Sequence, residues 1–316
     1  MDYLSMTFRL FSPLLFLPLI LGLAACQPAP PQSVGNSTPK AAEIATIPDD
    51  PDPALWVLKD KDTTIYLFGT VHILKPGLTW FDEAVKEAFD ASDELVVEMI
   101  QPDPAAMIKI VNDLAIDTTG VPLRDKLSPK DREKYEAAME SLQLPVNAFD
   151  PLEPWFASVS ISLAPLKQSG YDTNSGVEDT LTSQAKARGI KITGLETPEQ
   201  QLGFFDNLPE DVQIRFLNFN VDSIGEMTDG MENMVAHWAN ANINALAKLM
   251  NAGLEEKILY ETLLSNRNVQ WAEWVDERMD EPGTVFLAVG AGHLAGEDSL
   301  QKQLKKRGML VKRIKY

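Results

Sequence analysis

Short apolar segments with strand character stand at both ends of this chain, and a long stretch of helical pattern lies between them. Residues 56–58 and 65–68 are separated by the polar turn KDKDTT, which predicts a β-hairpin. Further strands are predicted at residues 95–97, 191–195, 284–289 and 309–314, and helices at residues 79–92, with Thr79 as N-cap, and 299–307. The pattern between residues 103 and 280 is almost wholly helical. This order predicts an α/β fold, a mixed central sheet with a large helical insertion at about residues 103–280.

Two of the three histidines share one local context. Each follows an apolar strand and stands three residues after a glycine, in Gly69-Thr70-Val71-His72 and in Gly290-Ala291-Gly292-His293. Glycine permits a sharp turn at a strand end and close approach of the backbone to a ligand. We therefore expect both histidines to face a ligand site. His237 lies in a helical run without this context and is interpreted as structural.

Two further strands end in a carboxylate, in Val96-Val97-Glu98 and Gly194-Leu195-Glu196. Ligand sites in open α/β sheets form beyond the carboxyl ends of the strands. The two histidines and two glutamates should therefore converge if their strands are parallel neighbours, in a site that we expect to be open to solvent. Such a set suits a divalent transition ion such as zinc, manganese, cobalt or iron(II). The alternative interpretation is structural, with histidines that cap strands and glutamates that face solvent.

Six segments in this order resemble the TraB/GumN family, the bacterial relatives of the Tiki metalloproteases. They are LFGTVHIL, DELVVEM, GVEDTL, GLETPEQQ, LLSNRNVQW and FLAVGAGHLAGEDS, and they span residues 67–299. The hallmark of the family is two Gly-x-x-His motifs at opposite ends of the domain, with a glutamate after the first. Its members commonly carry Asp where GVEDTL has Glu178. The resemblance implies a fold shared with erythromycin-esterase-like and ChaN-like proteins, and metal-dependent hydrolysis, chiefly of peptide bonds in animal members.

The residues and the resemblance together predict a metal-dependent hydrolase that acts on a peptide or protein. His72 and His293 would bind a manganese, cobalt or zinc ion, with Glu98 as third ligand or general base. Glu196 and Arg267 would orient these groups or hold substrate, although an isolated helical arginine is more often a solvated charge. The motif glycines of this prediction are Gly69, Gly290 and Gly292. The alternative is a binding protein that sequesters a peptide or small ligand in the same pocket without turnover.

The N-terminal residues predict a lipid anchor. The apolar run LLFLPLILGLAA at residues 14–25 is shorter than the about 20 residues that span a bilayer, so residues 1–25 are interpreted as a signal peptide. It ends in Leu23-Ala24-Ala25-Cys26, which resembles a lipobox with Cys26 as the lipidation site. Residues 26–53 are predicted to be the lipidated cysteine and a Pro-rich tether, and residues 54–316 the domain. Gln27 resembles the signal for outer-membrane sorting, so we expect a lipid-anchored protein that faces the periplasm.

Charge and cysteine content exclude other classes. The net charge of -18 repels phosphate backbones and disfavours nucleic-acid binding. A single cysteine cannot form an internal disulfide or a multi-cysteine zinc site.

Overall fold

The computed structural model describes residues 45–252, 254 and 256–316. The predicted signal peptide, Cys26 and the tether up to residue 44 lie outside the described residues.

Among the described residues, six strands form one mixed sheet. They are β1 Leu55–Lys59, β2 Thr63–Thr70, β3 Glu94–Met99, β4 Lys191–Glu196, β5 Gly283–Gly290 and β6 Lys312–Ile314. The strand order is β4-β3-β5-β2-β1-β6. The four strands β2, β5, β3 and β4 run parallel, while β1 pairs antiparallel with β2 and with β6. The predicted α/β class with a mixed sheet is confirmed. The carboxyl ends of four neighbouring strands consequently meet at one edge of the sheet.

Helices cover both faces of this sheet and form an additional helical unit. They are α1 Glu83–Asp90, α2 Pro104–Ala115, α3 Leu123–Lys126, α4 Pro129–Ser141, α5 Pro154–Gln168, α6 Val177–Arg188, α7 Pro198–Asp206, α8 Glu210–Asp222, α9 Met227–Ala239, α10 Ile243–Ala252, α11 Lys257–Tyr260, α12 Asn266–Arg278 and α13 Leu300–Lys306. Short 3-10 helices are Thr173–Ser175, Ile224–Glu226 and Ala291–Leu294, and the π-helix Glu261–Ser265 joins α11 to α12.

The sheet separates two hydrophobic cores because side chains alternate along its strands. On β2, Phe68 packs against one face, among residues of α1, α6 and α9. Leu67 points to the other face, where Trp271 of α12 and Leu304 of α13 complete the second core. The result is a three-layer arrangement of helices, sheet and helices.

The predicted helical region is divided by β4, which belongs to the central sheet. A third core, separate from the sheet, joins the two parts, because Tyr135 of α4 and Ile161 of α5 are buried in it together with Leu217 of α8. The second part of the region, from α7 to α12, returns the chain to the carboxyl ends of the strands.

One predicted helix boundary was wrong. Helix α1 begins at Glu83 with Asp82 at the N-cap position, not at Thr79. Trp80 is buried and stacks on Phe68 with 5.6 Å between ring centroids. Aromatic packing against the sheet therefore holds this segment outside the helix, and it overrides the local N-cap preference of threonine.

The described end of the predicted tether lies against helix α9. Asn233 accepts a hydrogen bond from the Ala45 amide, and the Ala239 carbonyl accepts one from the Asp52 amide, both at 2.9 Å. Within the described ranges no helix is long and apolar enough to cross a membrane.

Candidate functional site

The parallel pairing of β2 and β5 brings the two Gly-x-x-His motifs side by side. Gly69 is opposite Val289 in the register, and Thr70 is opposite Gly290. A Cβ atom on Gly69 would lie 3.1 Å from the Ala291 Cα. Glycine therefore permits the two motifs to pack backbone against backbone. The Trp238 indole donates a hydrogen bond of 2.7 Å to the Gly69 carbonyl and attaches α9 to this point.

Gly290 leaves a small space between the predicted metal ligands. A Cβ atom built on it would lie 3.1 Å from the Glu98 Oε1, 3.6 Å from the His293 Cδ2 and 3.7 Å from the His72 Nε2. Its φ of -48° is accessible to any residue, so the backbone conformation does not require glycine. A side chain at this position would contact all three groups and would lie too close to Glu98.

Arg267, on α12, links the carboxylates of β3 and β4. Its guanidinium pairs with both Glu196 oxygens at 2.8 Å and with the Glu98 Oε2 at 2.6 Å. Its Nη1 donates to the Leu263 carbonyl at 3.2 Å and lies 3.1 Å from the His293 Nε2. Leu263 belongs to the π-helix, a feature that is frequent at functional sites.

Burial and the guanidinium set the protonation of these groups. Burial alone would raise the pKa of Glu98, but Arg267, the histidines and the Gly290 amide outweigh it and hold the pKa at about 2. Burial and the positive charge of Arg267 lower the pKa of His293 to about 3. Burial, together with the negative charge of Glu98, raises the pKa of Glu196, although Arg267 and Trp271 act in the opposite direction. At neutral pH, Glu98 is therefore a carboxylate and His293 is uncharged.

His72 is paired with Glu178, the second residue of α6. The His72 Nδ1 lies 2.5 Å from the Glu178 Oε1, which also accepts a hydrogen bond from the Thr70 hydroxyl. Burial would lower the pKa of His72, but the Glu178 carboxylate raises it above its usual value of 6.5. A Cβ atom on Gly176 would lie 2.3 Å from the His72 carbonyl oxygen, so glycine is needed for α6 to approach this loop.

The cluster is more enclosed than the sequence led us to expect. Glu98, Glu196, Arg267 and His293 are each at most 8% exposed. The side chains of His72 and Glu178 are 18% and 21% exposed and form its more open side. The expectation of a solvent-open site was wrong because α7 and α12 cover the carboxyl ends of β3 and β4, where Gln201 of α7 donates to the Glu98 Oε2 at 2.9 Å.

The predicted site residues are largely brought together. His72, Glu98, Glu196, Arg267, His293 and Gly290 lie in one cluster, and Gly69 packs directly beneath it. Gly292 is directed away from the ligands, since its Cβ atom would meet Met250 of α10. His237 forms part of α9 and stands outside the cluster. Cys26 lies outside the described residues.

Four residues that the sequence analysis did not single out complete the cluster. Trp271 donates to the Glu196 Oε1 at 3.1 Å, and Asn268 contacts the His293 Nδ1 at 2.8 Å. Gln201 donates a hydrogen bond to Glu98, and Thr70 donates one to Glu178. Each stands within a segment that resembles the family. The signal for Trp271 was its position four residues after Arg267 on one helix, and no such spacing indicates Asn268.

The donor types of the cluster, imidazole nitrogen and carboxylate oxygen, are those that divalent transition ions prefer. Three carboxylates, Glu98, Glu178 and Glu196, stand against the single guanidinium of Arg267, which leaves a net charge of -2 when both histidines are neutral. In the part of the chain that the structure describes, no three His, Cys, Asp or Glu side chains are already spaced as ligands of one ion. An ion at the His293 Nε2 would replace the hydrogen bond of Arg267 to that nitrogen.

Comparison with known proteins identifies the family. The family model described as TraB/PrgY/gumN matches residues 54–313. The chain belongs to the TraB/PrgY/gumN family. An uncharacterized protein of Treponema pallidum (strain Nichols) is 22% identical over 81% of both chains. The protein YbaP of Escherichia coli (strain K12) is 21% identical, and that of Shigella flexneri 23% identical, over 80% of this chain and 92% of theirs. No solved structure matches the chain.

For this TraB/PrgY/gumN protein, the family match covers every element that contributes to the cluster, from β2 to α12 and the second Gly-x-x-His motif. Glu178, where other members commonly carry Asp, still places a carboxylate in the site. The longer side chain reaches both Thr70 and His72.

Replacing Arg267 tests the electrostatic design of the cluster. We expect Arg267→Leu to lower the free energy of unfolding by about 3–5 kcal/mol near pH 7, because two buried carboxylates lose their shared cation. Urea unfolding followed by circular dichroism measures this. Arg215→Leu is the matched control, since Arg215 lies on the exposed surface of α8, where it pairs with Asp211 and Glu256, and should matter far less.

On acidification, the Glu98 contribution to the free energy of unfolding should change in opposite directions in the parent and in Arg267→Leu. In the parent, Glu98 has a folded pKa of about 2 against an ordinary 4.5, so its contribution is complete above pH 4.5 and is lost toward pH 2. Without Arg267, burial raises the carboxyl pKa, and protonation on acidification relieves the penalty. The difference in free energy of unfolding between the parent and Arg267→Leu should therefore become smaller from pH 7 to pH 4. A difference that is constant or grows would show that Arg267 acts by packing alone.

Proposed function

We propose that the protein is a metal-dependent hydrolase of peptide bonds, and that it holds its ion beside Gly290. The observation that carries this proposal is the convergence of His72, Glu98 and His293 on a position that a single Cβ atom would fill. The peptide substrate follows from the resemblance to the Tiki metalloproteases. The acidic balance of the cluster supports a cation in this position.

Two of the three proposed ligands have the protonation state that metal binding needs. A carboxyl or histidine ligand must be deprotonated, and the pKa values of about 2 for Glu98 and about 3 for His293 meet this requirement at neutral pH. His72, whose pKa the Glu178 carboxylate raises, would release its proton when the ion binds. A divalent ion in this position would supply Lewis acidity, which polarises a substrate carbonyl and makes water more acidic.

Glu178 is the group best placed to take a proton from the attacking water. Both Glu98 oxygens and both Glu196 oxygens already accept hydrogen bonds. Among the buried carboxylate oxygens described in the cluster, the Glu178 Oε2 is the one with no hydrogen-bond partner. The Glu178 side chain also belongs to the more open side of the cluster, next to His72. This assignment replaces Glu98 as candidate general base, because a carboxyl with a pKa of about 2 is a weak base.

The direct test is elemental analysis of the purified full chain together with mass-spectrometric detection of cleavage in a peptide library. The proposal predicts one bound transition ion per chain and cleavage that a chelator abolishes and added metal restores. Cleavage that resists chelators would reject the metal. A metal-free chain that retains a co-purified ligand without turnover would favour the sequestering protein instead.

Filling the space beside Gly290 is a sharper test of the site. We expect Gly290→Ala to fold, since the φ of -48° suits alanine, but to lose the ion and the turnover together. The new methyl group would lie 3.1 Å from the Glu98 Oε1. Overpacking of this kind costs about 1–3 kcal/mol, which thermal unfolding will register. Gly225→Ala is the control, because its Cβ atom would meet nothing within 4 Å. Normal metal content in Gly290→Ala would place the ion elsewhere.

We also propose that the protein is anchored by lipid at Cys26 and acts at the periplasmic side of the outer membrane. The support is the lone cysteine after Leu23-Ala24-Ala25, followed by a proline-rich segment. Cys26→Ser should move the protein from the detergent-extracted membrane fraction to the soluble fraction, with an unchanged thermal transition of the domain. An unlipidated N-terminus in the parent, shown by mass spectrometry, would refute the anchor.

A further inference from the structure

We propose that Asn268 is a positioning residue that holds the His293 imidazole in one tautomer, with Nδ1 protonated and the Nε2 lone pair directed into the cluster. The tautomer follows from hydrogen bonds alone. Its consequence for ion binding rests on the proposed function.

The orientation of the Asn268 amide is fixed by a second partner. Asn268 is fully buried, and its Nδ2 donates a hydrogen bond of 2.8 Å to the Asp298 carbonyl. A carbonyl oxygen only accepts, so the amide nitrogen must face it. The Asn268 Oδ1 is therefore the atom that lies 2.8 Å from the His293 Nδ1. An amide oxygen also only accepts, which requires a proton on the Nδ1.

The other ring nitrogen leads independently to the same tautomer. The His293 Nε2 lies 3.1 Å from the Arg267 Nη1. A guanidinium has donors and no acceptor, so the Nε2 must present its lone pair. The Trp271 ring packs against the imidazole with 4.3 Å between centroids and limits its rotation. Two partners on opposite sides of one buried ring thus specify a neutral imidazole with Nε2 as the free base.

The arrangement matches that of His72 at the other motif. There the Glu178 carboxylate lies against the Nδ1, and the Nε2 is the atom near Gly290. An oxygen acceptor behind the Nδ1 is the usual support of a histidine that binds metal through the Nε2, and its loss typically costs about 10–100-fold in metal affinity. Asn268 would have this role for His293 in the proposed site.

Two replacements separate this role from a structural one. Both Asn268→Leu and Asn268→Asp remove the donor to the Asp298 carbonyl, but only Asn268→Asp keeps an acceptor for the His293 Nδ1. Gln303→Leu is the control for the Asp298 contact, since the Gln303 Nε2 donates to the same carbonyl at 3.4 Å. The full chain is used throughout, with unfolding followed in parallel.

The first readout is the nitrogen-15 spectrum of the histidine rings in the metal-free protein. The chain has three histidines, so single His→Gln variants assign the signals. We expect the parent His293 to carry its proton on Nδ1. A parent spectrum with the proton on Nε2 would overturn the proposal whether or not the protein binds metal or folds after substitution.

The second readout is the affinity for Co²⁺ by titration calorimetry. We expect Asn268→Leu to lose about 10–100-fold in affinity, and Asn268→Asp and Gln303→Leu to stay within about threefold of the parent. An equal loss in Asn268→Leu and Asn268→Asp would show that Asn268 serves only to anchor Asp298. A parent that shows the expected tautomer but binds no Co²⁺ would contradict the proposed metal function and leave the assignment of the tautomer intact.

Discussion

The Arg267 guanidinium is the interaction on which the cluster depends. Two carboxylates at the ends of adjacent parallel strands are buried, and burial of such charges is unfavourable unless they are paired and hydrogen-bonded. Arginine has five N–H donors, and five acceptors surround this one, four side-chain atoms and the Leu263 carbonyl. Lysine, with a single charged nitrogen, could not pair with two carboxylates in this bidentate way.

The same guanidinium sets the condition for any ion that binds at the site. Its hydrogen bond to the His293 Nε2 and an ion at that nitrogen exclude one another. The remaining four hydrogen bonds do not involve the histidine, so Arg267 can keep both carboxylates in place while it releases the ring. The groups around Arg267 thus form a satisfied hydrogen-bond network, and entry of an ion would exchange one of its contacts.

The sequence predicted the parts of the site that depend on local pattern and on topology. Strand-ending residues converge when strands are parallel neighbours, so His72, Glu98 and Glu196 could be placed together before the fold was known. The pairing of Arg267 with Glu98 joins residues 169 positions apart and depends on how α12 packs over the sheet. Asn268 was missed for the same reason. Its role depends on contacts with His293 and with the Asp298 carbonyl, which lie in a different part of the chain, and no local sequence pattern predicts these contacts.

Tertiary packing also explains where local rules failed. Thr79 is a suitable N-cap by residue type, but the burial of Trp80 against Phe68 keeps the chain extended there. The site is enclosed because α7 follows β4 directly and covers the strand ends with Gln201. Gly290 is required by the side chains around it and not by its backbone angles.

X-ray diffraction at the cobalt absorption edge, from crystals of the protein grown with Co²⁺, would show whether an ion binds beside Gly290. We expect one strong anomalous peak there, with the Nε2 atoms of His72 and His293 at about 2.0–2.2 Å from it. Glu98 should be the adjacent carboxylate, and the hydrogen bond from Arg267 to His293 should be broken. An anomalous peak elsewhere, with that hydrogen bond intact and no density beside Gly290, would contradict the account.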